Sequence, residues 1–316
     1  MSPARCLVAM YHYVRDVETT PFPAINAIST ASFVAQLDTF ARECPAIDYP
    51  VFEAHVRGRL SLDRPRALLT FDDGFIDHYQ TVFPALGVRE WSGVFFLAGV
   101  TIGDRPRVLN VHKTHFLIAR LGAQAFGEAV RDALARQPVG AGQALAWRSE
   151  VYRYDGAAGL ETKHLLNYEL PHDVADQVLE ELFDEHLGDE VAFARQLYLS
   201  PEQIREMARE GMTFGFHTER HRVLSRLDEA GQRAELAHGV ARVRALTGQT
   251  SVPFCYPYGH LHTYNAETLA ILDEAGYGLA FNTVRRLADP MTDPRFEVPR
   301  YDTRDLPPFS SSLPYA

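Results

Sequence analysis

The stretch Ala67-Leu68-Leu69-Thr70-Phe71-Asp72-Asp73-Gly74 reads as a short buried strand that ends in two adjacent carboxylates. Its nearly unbroken apolar run fits a strand covered on both faces, as in a parallel sheet. Burying an unpaired carboxylate is strongly unfavourable, and a divalent cation is an effective way to relieve that cost. Far along the chain, Gly215-Phe216-His217-Thr218-Glu219-Arg220-His221 supplies two imidazoles four residues apart, again just after a short apolar stretch. One carboxylate and two histidines form a ligand set for a catalytic Zn²⁺ or a related divalent ion, with positions left for water and substrate. The second carboxylate is then available as a base. The pattern is that of a metal-dependent hydrolase.

Working outward, strand patterns recur at Cys6 to Val14, Gly93 to Ala98, Thr213 to Phe216, Val252 to Tyr256 and Tyr277 to Asn282. Helical spacing appears at Ser32 to Glu43, with Ser29, Thr30 or Ser32 as N-cap, and at Ile76 to Leu86. It returns at Pro201 to Glu210, Ala230 to Leu246 and Ala266 to Ala275. Short buried strands alternating with helices predict parallel pairing in an α/β sheet or barrel. In a barrel, residues that end strands converge on one face, where active sites are built. His12, Asp72-Asp73, His217 and Pro257-Tyr258-Gly259 all fall at such ends. Between about 100 and 199 the alternation lapses into helical patterns, Val111 to Arg120, Ala123 to Arg136 and His172 to Leu187. We read one domain over residues 1–316, with 100–199 as a mostly helical insertion or cap. Pro138 to Gly142 and Asp155 to Gly159 read as loops.

Composition narrows the function classes. With 31 Lys and Arg against 41 Asp and Glu, the formal charge is −10, which argues against sequence-independent nucleic-acid binding. The three cysteines are widely spaced and suggest neither a disulfide framework nor a zinc ribbon. The apolar run at the N-terminus is shorter than the roughly 7–15 residues of a signal-peptide core. The run Val94 to Ile102 is too short to span a bilayer. The expectation is a cytoplasmic protein without a transmembrane segment.

With these residues in hand, the chain resembles the NodB-like polysaccharide deacetylases, a carbohydrate esterase family built on a distorted (β/α) barrel. Thr70-Phe71-Asp72-Asp73-Gly74 is similar to the family's first motif and His217-Thr218-Glu219-Arg220-His221 to its second. Cys255-Tyr256-Pro257-Tyr258-Gly259 is similar to most of the third, and Met10-Tyr11-His12-Tyr13-Val14 to the opening of many members. The resemblance implies that Asp73, His217 and His221 bind one divalent ion. Zn²⁺ is the first expectation, with Co²⁺, Ni²⁺, Fe²⁺ or Mn²⁺ as alternatives. It implies Asp72 as general base and the backbone N–H of Tyr258, beside Pro257, as a holder of the oxyanion. Family members remove N-acetyl and sometimes O-acetyl groups from sugars.

Two positions depart from the family pattern. The third motif commonly begins with an Arg that orients the base, and here Cys255 stands there. The last motif, a Leu-x-His that supplies the general acid, has no counterpart near the C-terminus. Arg300, in Val298-Pro299-Arg300-Tyr301-Asp302, is the candidate to replace the missing Arg from a neighbouring strand end. His12 is the first candidate acid, ahead of His115 and His260.

Each reading has a plainer rival. Asp72-Asp73 alone fits a turn before Gly74, and His217 and His221 alone fit one helix face. His12 as a backbone cap and His115 as a packing residue are equally ordinary. Tyr152-Arg153-Tyr154-Asp155 suits a substrate clamp or, more simply, a solvated loop. Cys255 suits a small apolar packing role. The coupled motifs favour a deacylase of an acylated amino sugar, with a nucleotide- or lipid-linked precursor for lipopolysaccharide or capsule as the expected substrate. Two alternatives are a hydrolase of cyclic or small non-sugar amides, as in allantoinase-like relatives, and a non-catalytic carbohydrate-binding protein.

Overall fold

The computed structural model describes residues 3–136 and 159–315. The expected loop at Pro138 to Gly142, most of that at Asp155 to Gly159, and the segment Tyr152 to Asp155 lie outside these residues. Seven strands form one sheet: β1 (Leu7–Tyr11), β2 (Ala67–Phe71), β3 (Val94–Leu97), β4 (Thr213–Phe216), β5 (Phe254–Cys255), β6 (Ala280–Phe281) and β7 (Tyr301–Asp302). Their order is β6-β5-β4-β3-β2-β1-β7, and every neighbouring pair is parallel.

The sheet curls toward closure through a single segment near the C-terminus. Val298 bridges to Phe281 beside β6, while Tyr301 and Asp302 pair with Ala9 and Met10 of β1. Residues 298–302 therefore touch both edges of the sheet, and Arg300 lies in that seam. This is the distorted (β/α) barrel expected from the sequence.

Alternation along the strands decides which side chains enter the barrel. Successive strand residues point to opposite faces. Val8, Leu68, Val94, Phe96, Cys255, Phe281 and Val298 form one buried cluster inside the ring. Tyr11, Phe71, Phe95 and Phe214 share a register row on the other face, and their rings meet between neighbours at 5.0, 4.8 and 5.6 Å. That row packs with Phe33, Leu37 and Phe40 of the helix Thr30–Glu43. Burying such a side chain contributes roughly 1.5–3 kcal/mol. Leu68, Thr70 and Asp72 share the inward parity, so the strand itself aims Asp72 into the barrel mouth. At Gly215 any Cβ would sit 2.4 Å from the Phe96 ring, so glycine lets that ring fill the interior.

The helix Thr30–Glu43 starts where Ser29 accepts from the Ser32 N–H, one of the three expected caps. The expected helix from Ala230 to Leu246 is instead two, Glu229–Leu236 and Gly239–Thr247. They meet at Gly239, where a Cβ would fall 2.2 Å from both the Phe216 ring and the Tyr277 hydroxyl. Behind β2, the expected helix Ile76 to Leu86 contains a wider π-helical turn, His78–Val82, before Phe83–Gly87. The helix Tyr49–Val56 escaped the sequence reading, and its Tyr49 and Phe52 join the cluster inside the ring. Among the described residues from 102 to 197 there is no strand; helices Asn110–Leu121, Ala123–Ala135, His172–Leu187 and Glu190–Leu197 dominate. None of the described helices is long and apolar enough to cross a membrane.

Candidate metal centre and its surroundings

The C-terminal ends of the strands open into a cavity of about 540 Å³. Asp72, Asp73, His217 and His221 line it, with His12, Tyr258 and Arg300. Thus the strand-end residues named from the sequence converge, although they span positions 12 to 300. Pro257 is buried between Tyr256 and Tyr258, and only these two reach the wall.

Backbone strain marks the same place. Asp73, Thr218, His221 and Tyr258 have φ of 74°, 65°, 58° and 62°, the left-handed region that non-glycine residues rarely adopt. Residues held there cost of order 1–3 kcal/mol each, and they cluster at functional sites. The turn at Asp73 swings its carboxylate away from that of Asp72, so two neighbours in sequence face different partners. His217 and His221 do not share a helix face: Thr218 and His221 turn the chain back, and the two rings come within 4.7 Å between centroids. The backbone of Gly99 and Val100 donates to the carbonyls of Thr218 and Glu219, and the buried Glu235 carboxylate accepts from the Arg220 N–H, fixing this turn.

Asp73 Oδ1, His217 Nε2 and His221 Nε2 form a tight triangle. Oδ1 lies 3.6 Å from one imidazole nitrogen and 3.7 Å from the other. This oxygen is buried and has no hydrogen-bond partner among the described residues. Nδ1 of His217 lies 2.7 Å from the Cys255 carbonyl, which can only accept. The proton therefore sits on Nδ1 and the Nε2 lone pair faces Asp73, the outer-shell arrangement usual for a metal-binding histidine. Burial pushes the His221 imidazole down to about 3, so it is neutral at pH 7. Burial also lowers His217. Burial opposes the charge on Asp73, but His112, His221 and His217 outweigh it and hold the carboxyl well below its ordinary value. An ionised carboxylate and two neutral imidazoles within 4.8 Å of one another suit a divalent cation.

Asp72 is held differently. Arg300 Nη1 and Nη2 donate to its two oxygens, both at 2.8 Å, as a bidentate fork. The guanidinium is itself pinned by Nε to the Asn282 carbonyl at 3.0 Å and by Nη1 to Thr70 Oγ1 at 3.2 Å. Cys255 packs into the same corner, accepting from Nη2 at 3.0 Å and donating to Asp72 Oδ2 at 3.4 Å. Burial opposes ionisation of Asp72, yet the charge and hydrogen bonds of Arg300 prevail and hold it at about 2. The residue in the usual Arg position thus became a small thiol, and the closing segment delivers the guanidinium from the other side.

Of the three candidate acids, His12 comes nearest to Asp72, with Nε2 at 3.9 Å from Oδ2. It is partly exposed, and the buried His78 donates from Nε2 to its carbonyl at 3.0 Å. His115 and His260 also line the cavity; His115 Nδ1 lies 3.4 Å from the Tyr13 hydroxyl. The sequence reading overlooked His112, whose Nε2 lies 3.1 Å from Asp73 Oδ2. Its signal was faint: His112 and His115 share a helix face in a segment where nothing else marks the site.

Residues 173–280 match the family model described as polysaccharide deacetylase, a span that includes His217, His221 and Cys255 to Gly259. Over that span the chain resembles the polysaccharide deacetylases. Asp72 and Asp73 lie outside the matched span, and the fold brings them to it. Among curated proteins none matches the sequence. Solved structures extend the likeness along nearly the whole chain. The deacetylase PplD of Streptococcus pyogenes, in complex with acetate, aligns with a TM-score of 0.58 at 16% identity, covering 95% of this chain and 93% of that one. IcaB from Ammonifex degensii aligns at 0.55 and 20% identity, covering 95% and 92%. The BpsB deacetylase domain from Bordetella bronchiseptica gives 0.54 and 17%, covering 94% of each. At such identities the likeness establishes a shared fold.

Proposed function

We propose that the protein is a metal-dependent deacylase that removes an N-acyl group, most simply acetyl, from an amino sugar. One observation carries this reading. The buried, unpartnered Oδ1 of Asp73 faces the Nε2 atoms of His217 and His221, while both oxygens of its neighbour Asp72 are held by Arg300. The two adjacent carboxylates are thereby divided between two tasks.

Asp73, His217 and His221 would hold the ion, which supplies a Lewis acid to polarise the acyl carbonyl and acidify water. Asp72 accepts the proton of the attacking water. Its low pKa makes it a weak base, so Arg300 serves chiefly to fix its direction. The Tyr258 N–H, at the strained turn after β5, is assigned to the developing oxyanion. His12, beside Asp72, is assigned as the acid that protonates the departing amine. The helix Asn110–Leu121 lines the site: Val111, His112, His115 and Ile118 form one wall of the cavity. A walled cavity suits a single sugar or a chain end, consistent with a cytoplasmic nucleotide- or lipid-linked precursor of a surface glycan.

Acetate release from a panel of nucleotide-linked N-acetyl sugars and short N-acetylated oligosaccharides, with ring opening of allantoin-like cyclic amides followed alongside, tests this proposal. Metal-stimulated release from at least one amino sugar is expected. Turnover of cyclic amides alone, or binding without turnover of any member, would overturn it in favour of the amidase or the binding protein.

A further inference from the structure

The barrel grips Asp72, but the inserted segment grips Asp73. His112 belongs to the helix Asn110–Leu121, and its Nδ1 lies 2.6 Å from the hydroxyl oxygen of Tyr198, just past the helix Glu190–Leu197. The backbone N–H of Leu109 donates to that same oxygen at 3.1 Å. These contacts join the three residues in one row. The Tyr198 oxygen accepts from the Leu109 N–H and also pairs with Nδ1 of His112. A carboxylate oxygen can only accept, so Nε2 of His112 carries a proton and donates it to Oδ2 of Asp73 at 3.1 Å. His112, Tyr198 and Asp73 are all buried, so water does not compete for these bonds.

We propose that Leu109, Tyr198 and His112 form a positioning row for Asp73, occupying Oδ2 so that Oδ1 alone is presented to the metal. The inserted helices then complete the metal centre as well as covering it. The inference rests on the proposed metal role of Asp73. A carboxylate with one oxygen tied to a strong donor binds through the other. Without the donor, Oδ2 is left buried and unpaired, and the group turns or chelates with both oxygens. Loss of such an outer partner typically weakens metal affinity ~10–100-fold.

Co²⁺ titration of the metal-free protein, followed by visible absorption, tests the row. Wild type should bind Co²⁺ and Asp73→Ala should not; binding in Asp73→Ala would overturn the metal assignment itself. His112→Phe should bind about 10–100-fold more weakly, with an altered band intensity as the coordination number changes. In His112→Gln the side-chain amide can donate from a similar reach and should recover most of the affinity. Tyr198→Phe removes the partner of Nδ1 and should give an intermediate loss. Unfolding temperatures of the metal-free variants separate this from damage to the fold. The proposal fails if folded His112→Phe keeps the wild-type affinity and spectrum, or if Gln is no better than Phe. Should both His112 variants fail to fold, Tyr198→Phe decides alone, and wild-type Co²⁺ affinity there overturns the row.

Discussion

The barrel and the helix Asn110–Leu121 each hold one carboxylate of the Asp72-Asp73 pair, and they do so with different chemistry. On the barrel side a guanidinium from the closing segment takes both oxygens of Asp72, leaving a directed anion. On the helical side an imidazole N–H takes one oxygen of Asp73 and leaves the other bare. Arg brings charge and a planar fork, which suits a base that must stay ionised and oriented. A single imidazole N–H ties one oxygen only, which suits a ligand that must keep the other for a cation. Two adjacent residues with the same side chain thus meet different partners, which is the basis of the separate roles we propose for them.

Breaking the barrel side should produce the largest effect. Asp72→Asn keeps the shape but cannot accept the proton, so turnover should fall by ~10²–10⁴-fold, the usual cost of losing a general base. Metal content should be unchanged. If the variant loses metal and regains full turnover when metal is resupplied, the two aspartates have been assigned the wrong way round.

How far each side could be read from sequence follows the same division. Asp72-Asp73 and His217 were legible because they directly follow buried apolar runs, His221 by its spacing from His217, and a parallel barrel brings strand ends together. Arg300 was legible by elimination, since Cys255 left the base without an orienter and a late apolar stretch offered one. Its route was not legible: β7 has only two residues, and closure depends on the bridge from Val298 to Phe281, which no periodicity announces. His112 and Tyr198 were invisible for a related reason. They lie 39 and 125 residues from Asp73 on amphipathic helices, whose patterns report burial but not what a buried histidine meets. The helix break at Gly239 likewise depends on Phe216 and Tyr277, which come from distant strands.

A subtler change sharpens the comparison. Arg300→Lys keeps the positive charge beside Asp72 but removes the fork and the bond to Asn282. Turnover should fall about 10–100-fold, in line with the cost of misplacing a reacting group, while Co²⁺ affinity stays at the wild-type value. A matching fall in metal affinity would show that the two carboxylates are not held independently.

The smallest effect concerns acid stability. Burial pushes His78 down to about 4 from 6.5, so on acidification the unfolded chain binds this proton before the folded one. Stability is therefore full above about pH 6.5 and declines toward pH 4. Asp72 acts lower: its carboxyl is depressed from 3.8 to about 2, so its stabilisation persists above 3.8 and is lost as pH falls toward 2. Thermal unfolding of His78→Phe at several pH values should show a shallower decline between pH 6.5 and 4 than wild type. An unchanged slope would mean that His78 titrates normally in the folded protein.

The central claim, that one carboxylate serves the metal and its neighbour does not, is tested most directly by metal content after dialysis against dilute Zn²⁺. Wild type and Asp72→Asn should each retain about one ion per chain, whereas Asp73→Ala and His217→Ala, each lacking one of three protein ligands, should retain almost none. Full occupancy in both Asp73→Ala and His217→Ala would contradict the account.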